Sequence, residues 1–112
     1  MSFIYVASPY THADQTVQEE RFRGVEAFVA NLLSNKVWCY SPVVHCHELA
    51  RRYNLPTTAD FWYDYNRHML EKAETLLVHP MPGWSESRGV QAEIALAESL
   101  GIPVIYRTEG LP

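Results

Sequence analysis

Phe3-Ile4-Tyr5-Val6-Ala7 is a short, nearly unbroken apolar run, and this restricts the possible folds more than any other feature of the chain. A strand with one face in water alternates apolar and polar residues. A parallel strand covered on both faces has no solvent side and reads as continuous apolar sequence. Ser8-Pro9-Tyr10-Thr11-His12-Ala13-Asp14 ends the run with turn chemistry. Asp14 or Thr16 can then cap a long helix with apolar positions at Val17, Phe22, Val25, Phe28, Val29, Leu32 and Leu33. Asn35 suits its C-terminal stop, and Val37 to Tyr40 reads as a second strand. Strand, helix and strand make a βαβ unit.

Ser41-Pro42 closes that strand, and Val43 to Ala50 predicts a weak, short helix. After a loop over Asn54 to Thr58, either Thr58 or Asp60 can cap a helix running through Trp62, Tyr65, Met69 and Leu70 to Lys72. Thr75 to His79 is a third strand, Arg88 to Leu100 a helix stopped by Gly101, and Ile102 to Tyr106 a last strand. Pro103 near its start fits an edge position. Arg107 to Pro112 reads as a polar tail. The order β-α-β-α-α-β-α-β predicts one α/β domain over residues 1–112. The expected architecture is a three-layer sandwich, a doubly wound parallel sheet of four to five strands of Rossmann or flavodoxin-like type. In such sheets ligands sit beyond the carboxyl ends of the strands. That edge gathers the loops Ser8 to His12, Ser41 to His47 and Met81 to Gly89, where the polar and aromatic residues concentrate.

The balance of residues excludes several classes. A chain of 112 residues supports one core, and 47% hydrophobic with 20% charged residues is an ordinary globular composition. A formal net charge of -4 argues against a nucleic-acid polymer as partner, since such domains carry a basic stripe. No basic segment followed by a long apolar one opens the chain, and no run is long enough to span a bilayer. A cytoplasmic location is expected, with Cys39 and Cys46 as reduced thiols.

One carboxylate sits where packing would not put it. On a helical wheel at about 100° per residue, Val90, Ile94, Leu96, Ala97 and Leu100 form an apolar arc, and Glu93 lies inside it. A charge facing the sheet is costly unless it is paired or lines a cavity. Glu93 is therefore a candidate nucleophile or general base, with a carboxylate paired to an Arg or Tyr across an interface as the bland reading. Ser87-Arg88-Gly89 stands at the start of the same helix, where free N–H groups and the helix dipole favour an anion. A capping serine is common, so this signal is weak alone. His45-Cys46-His47, with His12 and His79, lacks the second ligand cluster that a metal site needs, so no metal or other cofactor is expected. Phe61 to Asn66 is an aromatic helix start that reads as core or interface, although Asp64 or Asn66 can reach the cleft. The phosphate-loop, dinucleotide and nucleophile-elbow patterns are all missing.

Taken together, these stretches resemble the nucleoside 2-deoxyribosyltransferase-like superfamily, and within it small bacterial and phage domains of unknown function and deoxynucleoside 5′-monophosphate N-glycosidases. The likeness spans nearly the whole chain. It runs from Ile4-Tyr5-Val6-Ala7-Ser8-Pro9-Tyr10, through Thr11 to Asp14 and Glu20-Arg21-Phe22-Arg23, to Gly83-Trp84, Ser87 to Glu93, Ala97 and Gly101-Ile102-Pro103-Val104. The resemblance implies that Glu93 attacks the anomeric carbon of a nucleotide or nucleoside and that Tyr5 orients it. It implies that Ser87 contacts a 5′-phosphate, where transferases acting on free nucleosides carry an Asp. Ser8, Pro9, Tyr10, His45, Gly83, Trp84, Arg88 and Gly89 complete the implied substrate-binding set, with Trp84 and Tyr10 as candidates to stack on the base. The family's leaving-group Asp falls at Asn66, two residues after Asp64. Asparagine has no titratable proton, so Asp64 or a histidine must substitute, or activity is altered.

The implied reaction is N-glycosidic cleavage or transfer through a glycosyl ester on Glu93, parallel to retaining glycosidases. A non-catalytic nucleotide-binding domain and a structural protein are the competing classes. By analogy with its relatives, the chain is also expected to form a homo-oligomer, a dimer or tetramer.

Overall fold

A computed structural model describes residues 2–107. In chain order the elements are β1 (Ile4–Ala7), α1 (Gln15–Ser34), β2 (Cys39–Tyr40), α2 (Pro42–Tyr53), α3 (Ala59–Glu71), β3 (Thr75–Val78), α4 (Arg88–Ser99) and β4 (Val104–Tyr106). Four strands form one sheet in the order β2-β1-β3-β4, and every pairing is parallel. The predicted α/β sandwich is the fold found, with four strands among the described residues. Beyond Arg107, the polar tail lies outside them.

Each central strand feeds both layers. Ile4, Val6 and Leu77 face α1 and the start of α2, where Phe22, Val25, Phe28, Val29, Leu32 and Val43 pack on them. Tyr5, Ala7, Leu76 and Val78 face the other way, onto Leu70 of α3 and Val90, Ile94 and Ala97 of α4. The register Tyr5↔Leu76 and Ala7↔Val78 puts partners on the same face, because side chains alternate with a period of two. The continuous apolar texture of β1 follows from this double burial. All four of its residues are buried.

The element ends show local chemistry at work. Asp14, not Thr16, caps α1: its carboxylate accepts from Thr16 N at 2.8 Å. Leu33, read as apolar face, is 43% exposed, because it lies beyond the edge of the α1 stripe. The second strand is shorter than predicted. Lys36 takes a left-handed φ of 60° and Val37 N bonds back to Leu32 O at 2.9 Å, so the helix exit consumes the start of that run. In contrast α2 is longer than predicted. Ser41 Oγ accepts from Val44 N at 3.2 Å and Pro42 occupies the first turn, a strong start signal. Thr58 precedes α3 without a side-chain cap bond.

Helix α4 ends in a Schellman arrangement. Gly101 has φ +73°, Gly101 N bonds Glu98 O at 3.2 Å, and Ile102 N bonds Ala97 O at 2.9 Å. Ile102 therefore belongs to the cap, and β4 starts only at Val104, on the sheet edge as Pro103 requires. Among the described residues no helix is long and apolar enough to cross a membrane.

Candidate active site

The chain passes from β1 to β2 on one side and from β3 to β4 on the other, so the switch point lies between β1 and β3. At the carboxyl ends of these strands is a cavity of about 490 Å³. The loop after β1 contributes Ser8, Tyr10 and Thr11, and α2 contributes Pro42, Val43 and Cys46. Trp62, Tyr63, Asn66, Arg67 and Leu70 of α3 form a wall. The last stretch before α4 and its first turns contribute Glu86, Ser87, Arg88, Gly89, Ala92, Glu93 and Leu96. A cavity of this size fits a small organic ligand.

Glu93 and Tyr5 form its chemical centre. Tyr5 is fully buried on β1 and points to the α4 layer, so its hydroxyl needs an internal partner. That partner is the Glu93 carboxylate, to which Tyr5 Oη donates. The apolar arc of α4 thus carries a carboxylate because the strand beneath it carries a hydroxyl. Burial pushes the Glu93 pKa up to about 7, while the bond from Tyr5 works in the opposite direction. Burial first, and then the Glu93 charge and hydrogen bond, push the Tyr5 phenol up. The pair is therefore a neutral donor beside a carboxyl poised near neutrality, the range in which a carboxylate can act as nucleophile or base.

Around the pair, Tyr40 sits 5.6 Å from Tyr5, ring to ring, and its hydroxyl donates to Asn66 Oδ1 at 3.1 Å. Asn66 is thereby oriented as a fixed, non-titrating group. Burial holds the Cys46 thiol up to about 11, so it is not a thiolate nucleophile near neutral pH. Ser87 caps α4, its Oγ accepting from Val90 N at 3.2 Å, and this leaves the hydroxyl proton free for a ligand. Ser8 is 8% exposed and lines the cavity, yet its hydroxyl has no hydrogen-bond partner among the described residues. Arg88 has no ion pair among the described residues, whereas Arg67 holds Glu71 at 2.8 Å.

The expected site residues divide into two groups. Glu93, Tyr5, Asn66, Ser8, Tyr10, Ser87, Arg88 and Gly89 meet at the cavity. Asp64, Pro9, His45, Gly83 and Trp84 do not line it. Trp62, Asn66 and Leu70 recur every four residues along the inner face of α3, and Asp64 falls on the exposed side. Pro9 is fully buried beneath the loop. His45 stacks on Tyr65 with centroids 5.3 Å apart and an 11° interplanar angle, which ties α2 to α3. Gly83 has φ +95° and lies against the Arg21 guanidinium, so its missing Cβ makes room for that side chain and not for substrate. Trp84 packs into the α4 layer and meets Tyr106 at 5.4 Å, away from the cavity lining.

The histidines are dispersed. His12 accepts from Asp14 N at 2.9 Å at the α1 start, and His79 stacks on Phe28 at 4.1 Å. Among the described residues, no three His, Cys, Asp or Glu side chains converge as metal ligands. The sequence reading missed Trp62, Arg67 and the Thr57-Thr58 pair as cavity walls. Only the four-residue spacing of Trp62, Asn66 and Leu70 on one helix face hinted at them.

A family model described as Domain of unknown function (DUF1937) matches residues 2–109. The chain belongs to this family. No curated protein matches it significantly. The family description assigns no chemistry, and for this DUF1937 member the cavity is the feature that bears on function.

Proposed function

We propose that this DUF1937 domain cleaves or transfers the N-glycosidic bond of a (deoxy)nucleoside 5′-monophosphate or nucleoside, through a glycosyl ester on Glu93. The observation that carries the reading is the Tyr5–Glu93 pair in the wall of a 490 Å³ cavity at the sheet's carboxyl edge. A carboxylate suits displacement at an anomeric carbon because it stabilises oxocarbenium character and later leaves as a good leaving group. Burial keeps Glu93 poorly solvated and therefore reactive once ionised, and Tyr5 fixes its direction. The start of α4, with Ser87 and Arg88, and the Ser8 hydroxyl supply donors for a phosphate; among the described residues Arg88 has no ion pair and the Ser8 hydroxyl no hydrogen-bond partner. The likeness to the nucleoside 2-deoxyribosyltransferase-like superfamily supports the same assignment of roles.

The test is incubation with a panel of nucleosides and 5′-monophosphates, following free base by chromatography. Wild-type protein is expected to release base, and Glu93→Gln to lose at least about a thousandfold in rate with its fold retained by circular dichroism. Unchanged activity in that variant sinks the proposal. A second reading, a nucleotide-binding domain without turnover, is favoured by Asn66, which offers no proton where the superfamily carries an Asp. It predicts a raised melting temperature with nucleotide and no free base. Assembly as a dimer or tetramer belongs to the first reading through the same resemblance, and light scattering checks it.

A further inference from the structure

Departure of a base from an anomeric carbon needs a proton, and neither Asn66 nor the outward-facing Asp64 supplies one. A chain of hydrogen bonds on the opposite layer ends in the same cavity. Tyr10 Oη lies 2.7 Å from His47 Nδ1, and His47 Nε2 lies 3.2 Å from Glu19 Oε1. These residues come from three elements: the loop after β1, α2 and α1. His47 is 7% exposed, its ring stacked on Phe22 at 4.1 Å and both of its nitrogens engaged. Of the three residues, only Tyr10 lines the cavity.

We propose that Tyr10 donates the proton to the departing base and is reprotonated by a His47 imidazolium that Glu19 holds in place. The proposal rests on the glycosyl-transfer reading of the cavity. As Glu93 bonds the anomeric carbon, the carbon–nitrogen bond breaks and its electron pair goes to the base. The base takes the Tyr10 hydroxyl proton, Tyr10 takes the proton on His47 Nδ1, and His47 is left neutral with Nε2–H on Glu19. Water then attacks the anomeric carbon of the ester and frees Glu93 as carboxylate. The water's proton returns through Tyr10 to His47. Each turnover therefore restores the starting charges.

The surroundings fit this traffic. Burial, with Cys46 and Glu19 adding to it, holds the Tyr10 phenol up to about 12, so it remains a donor at neutral pH. Glu19 and Glu48 are the carboxylates that act on His47, from α1 and α2. Arg23 contacts Glu19 at 3.3 Å, and Arg51 lies within reach of the Glu19 charge. Cys46 also acts on Tyr10. In this arrangement Tyr10 is catalytic, and His47 and Glu19 are positioning residues.

The experiment compares wild type, Tyr10→Phe and Glu19→Gln on two substrates. One is the fastest natural 5′-monophosphate of the panel. The other is its analogue whose base leaves without a proton, N7-methylated for a purine or 5-nitrated for a pyrimidine. Tyr10→Phe is expected to lose about a hundredfold or more in kcat on the natural nucleotide and under about threefold on the analogue. Glu19→Gln, with its melting temperature close to wild type, is expected to lose about tenfold in kcat on the natural nucleotide and under about threefold on the analogue, since His47 is no longer held against Tyr10. Equal losses on both substrates in either variant overturn the relay. An active wild type with an unaffected Tyr10→Phe overturns the relay alone, whereas a wild type inert on every substrate overturns the glycosyl reading and the relay with it.

Discussion

Glu93 answers to two groups at once: the apolar layer that desolvates it and the Tyr5 hydroxyl that donates to it. The first favours the protonated carboxyl and the second favours the carboxylate. A nucleophile must be ionised, so with a folded-state value of about 7 activity should climb through neutrality on the acid side of the profile. Tyr5→Phe keeps the ring that fills the core and deletes only the donor. Because that bond lowers the Glu93 pKa, its loss should shift the acid limb of kcat/KM to higher pH by about one unit, beside a drop in kcat. A pH–rate profile of the variant measures both. A limb that stays in place means that Glu93 ionisation does not set it.

The termini of α2 and α4 do more than end secondary structure, because they present the groups that line the cavity. Ser87 satisfies the α4 N-terminus and also lines the cavity. Ser87→Asp separates these roles, since Asp is as good a cap as Ser but carries a charge that opposes a phosphate. The variant should melt within a few degrees of wild type while KM for a 5′-monophosphate rises about tenfold or more and KM for the free nucleoside does not. Equal KM changes for both ligands would place the phosphate elsewhere.

The pattern of what was legible follows from the range of each signal. Caps, glycine stops and double burial are local, so Ser87, Gly101 and the β1 texture could be read directly, and the α1 cap narrows to Asp14 or Thr16. Glu93 was legible because a wheel exposes a charge within an apolar arc. The Tyr10–His47–Glu19 chain was not, since its members are 28 and 37 residues apart and meet only once α1 and α2 have packed. Trp84 and Gly83 lie outside the cavity lining although Glu86 to Gly89 follow them closely in sequence, because Tyr106 and Arg21 contact them in space.

At the scale of the whole molecule, a buried ionisable group that serves chemistry should cost stability when charged. The folded-state pKa of Glu93 is raised, from 4.5 to about 7. The folded state therefore holds the proton more tightly than the unfolded state. The stabilisation is fully present below about pH 4.5 and is lost as pH rises through about 7. A difference of this size corresponds to about 3 kcal/mol, a large fraction of the stability of a small domain. Glu93→Gln cannot ionise, so it escapes the loss while offering Tyr5 an acceptor. Relative to wild type, the variant should gain roughly 10 °C in melting temperature between pH 5 and pH 8, since about 1 kcal/mol shifts such a domain by several degrees. Comparing the two proteins at both pH values cancels every other titrating group, including the half-exposed Glu48 that Arg51 lowers. A difference in melting temperature that is the same at pH 5 and pH 8 would show that the Glu93 carboxyl is solvated in the folded protein. That result would remove the desolvation on which its reactivity rests.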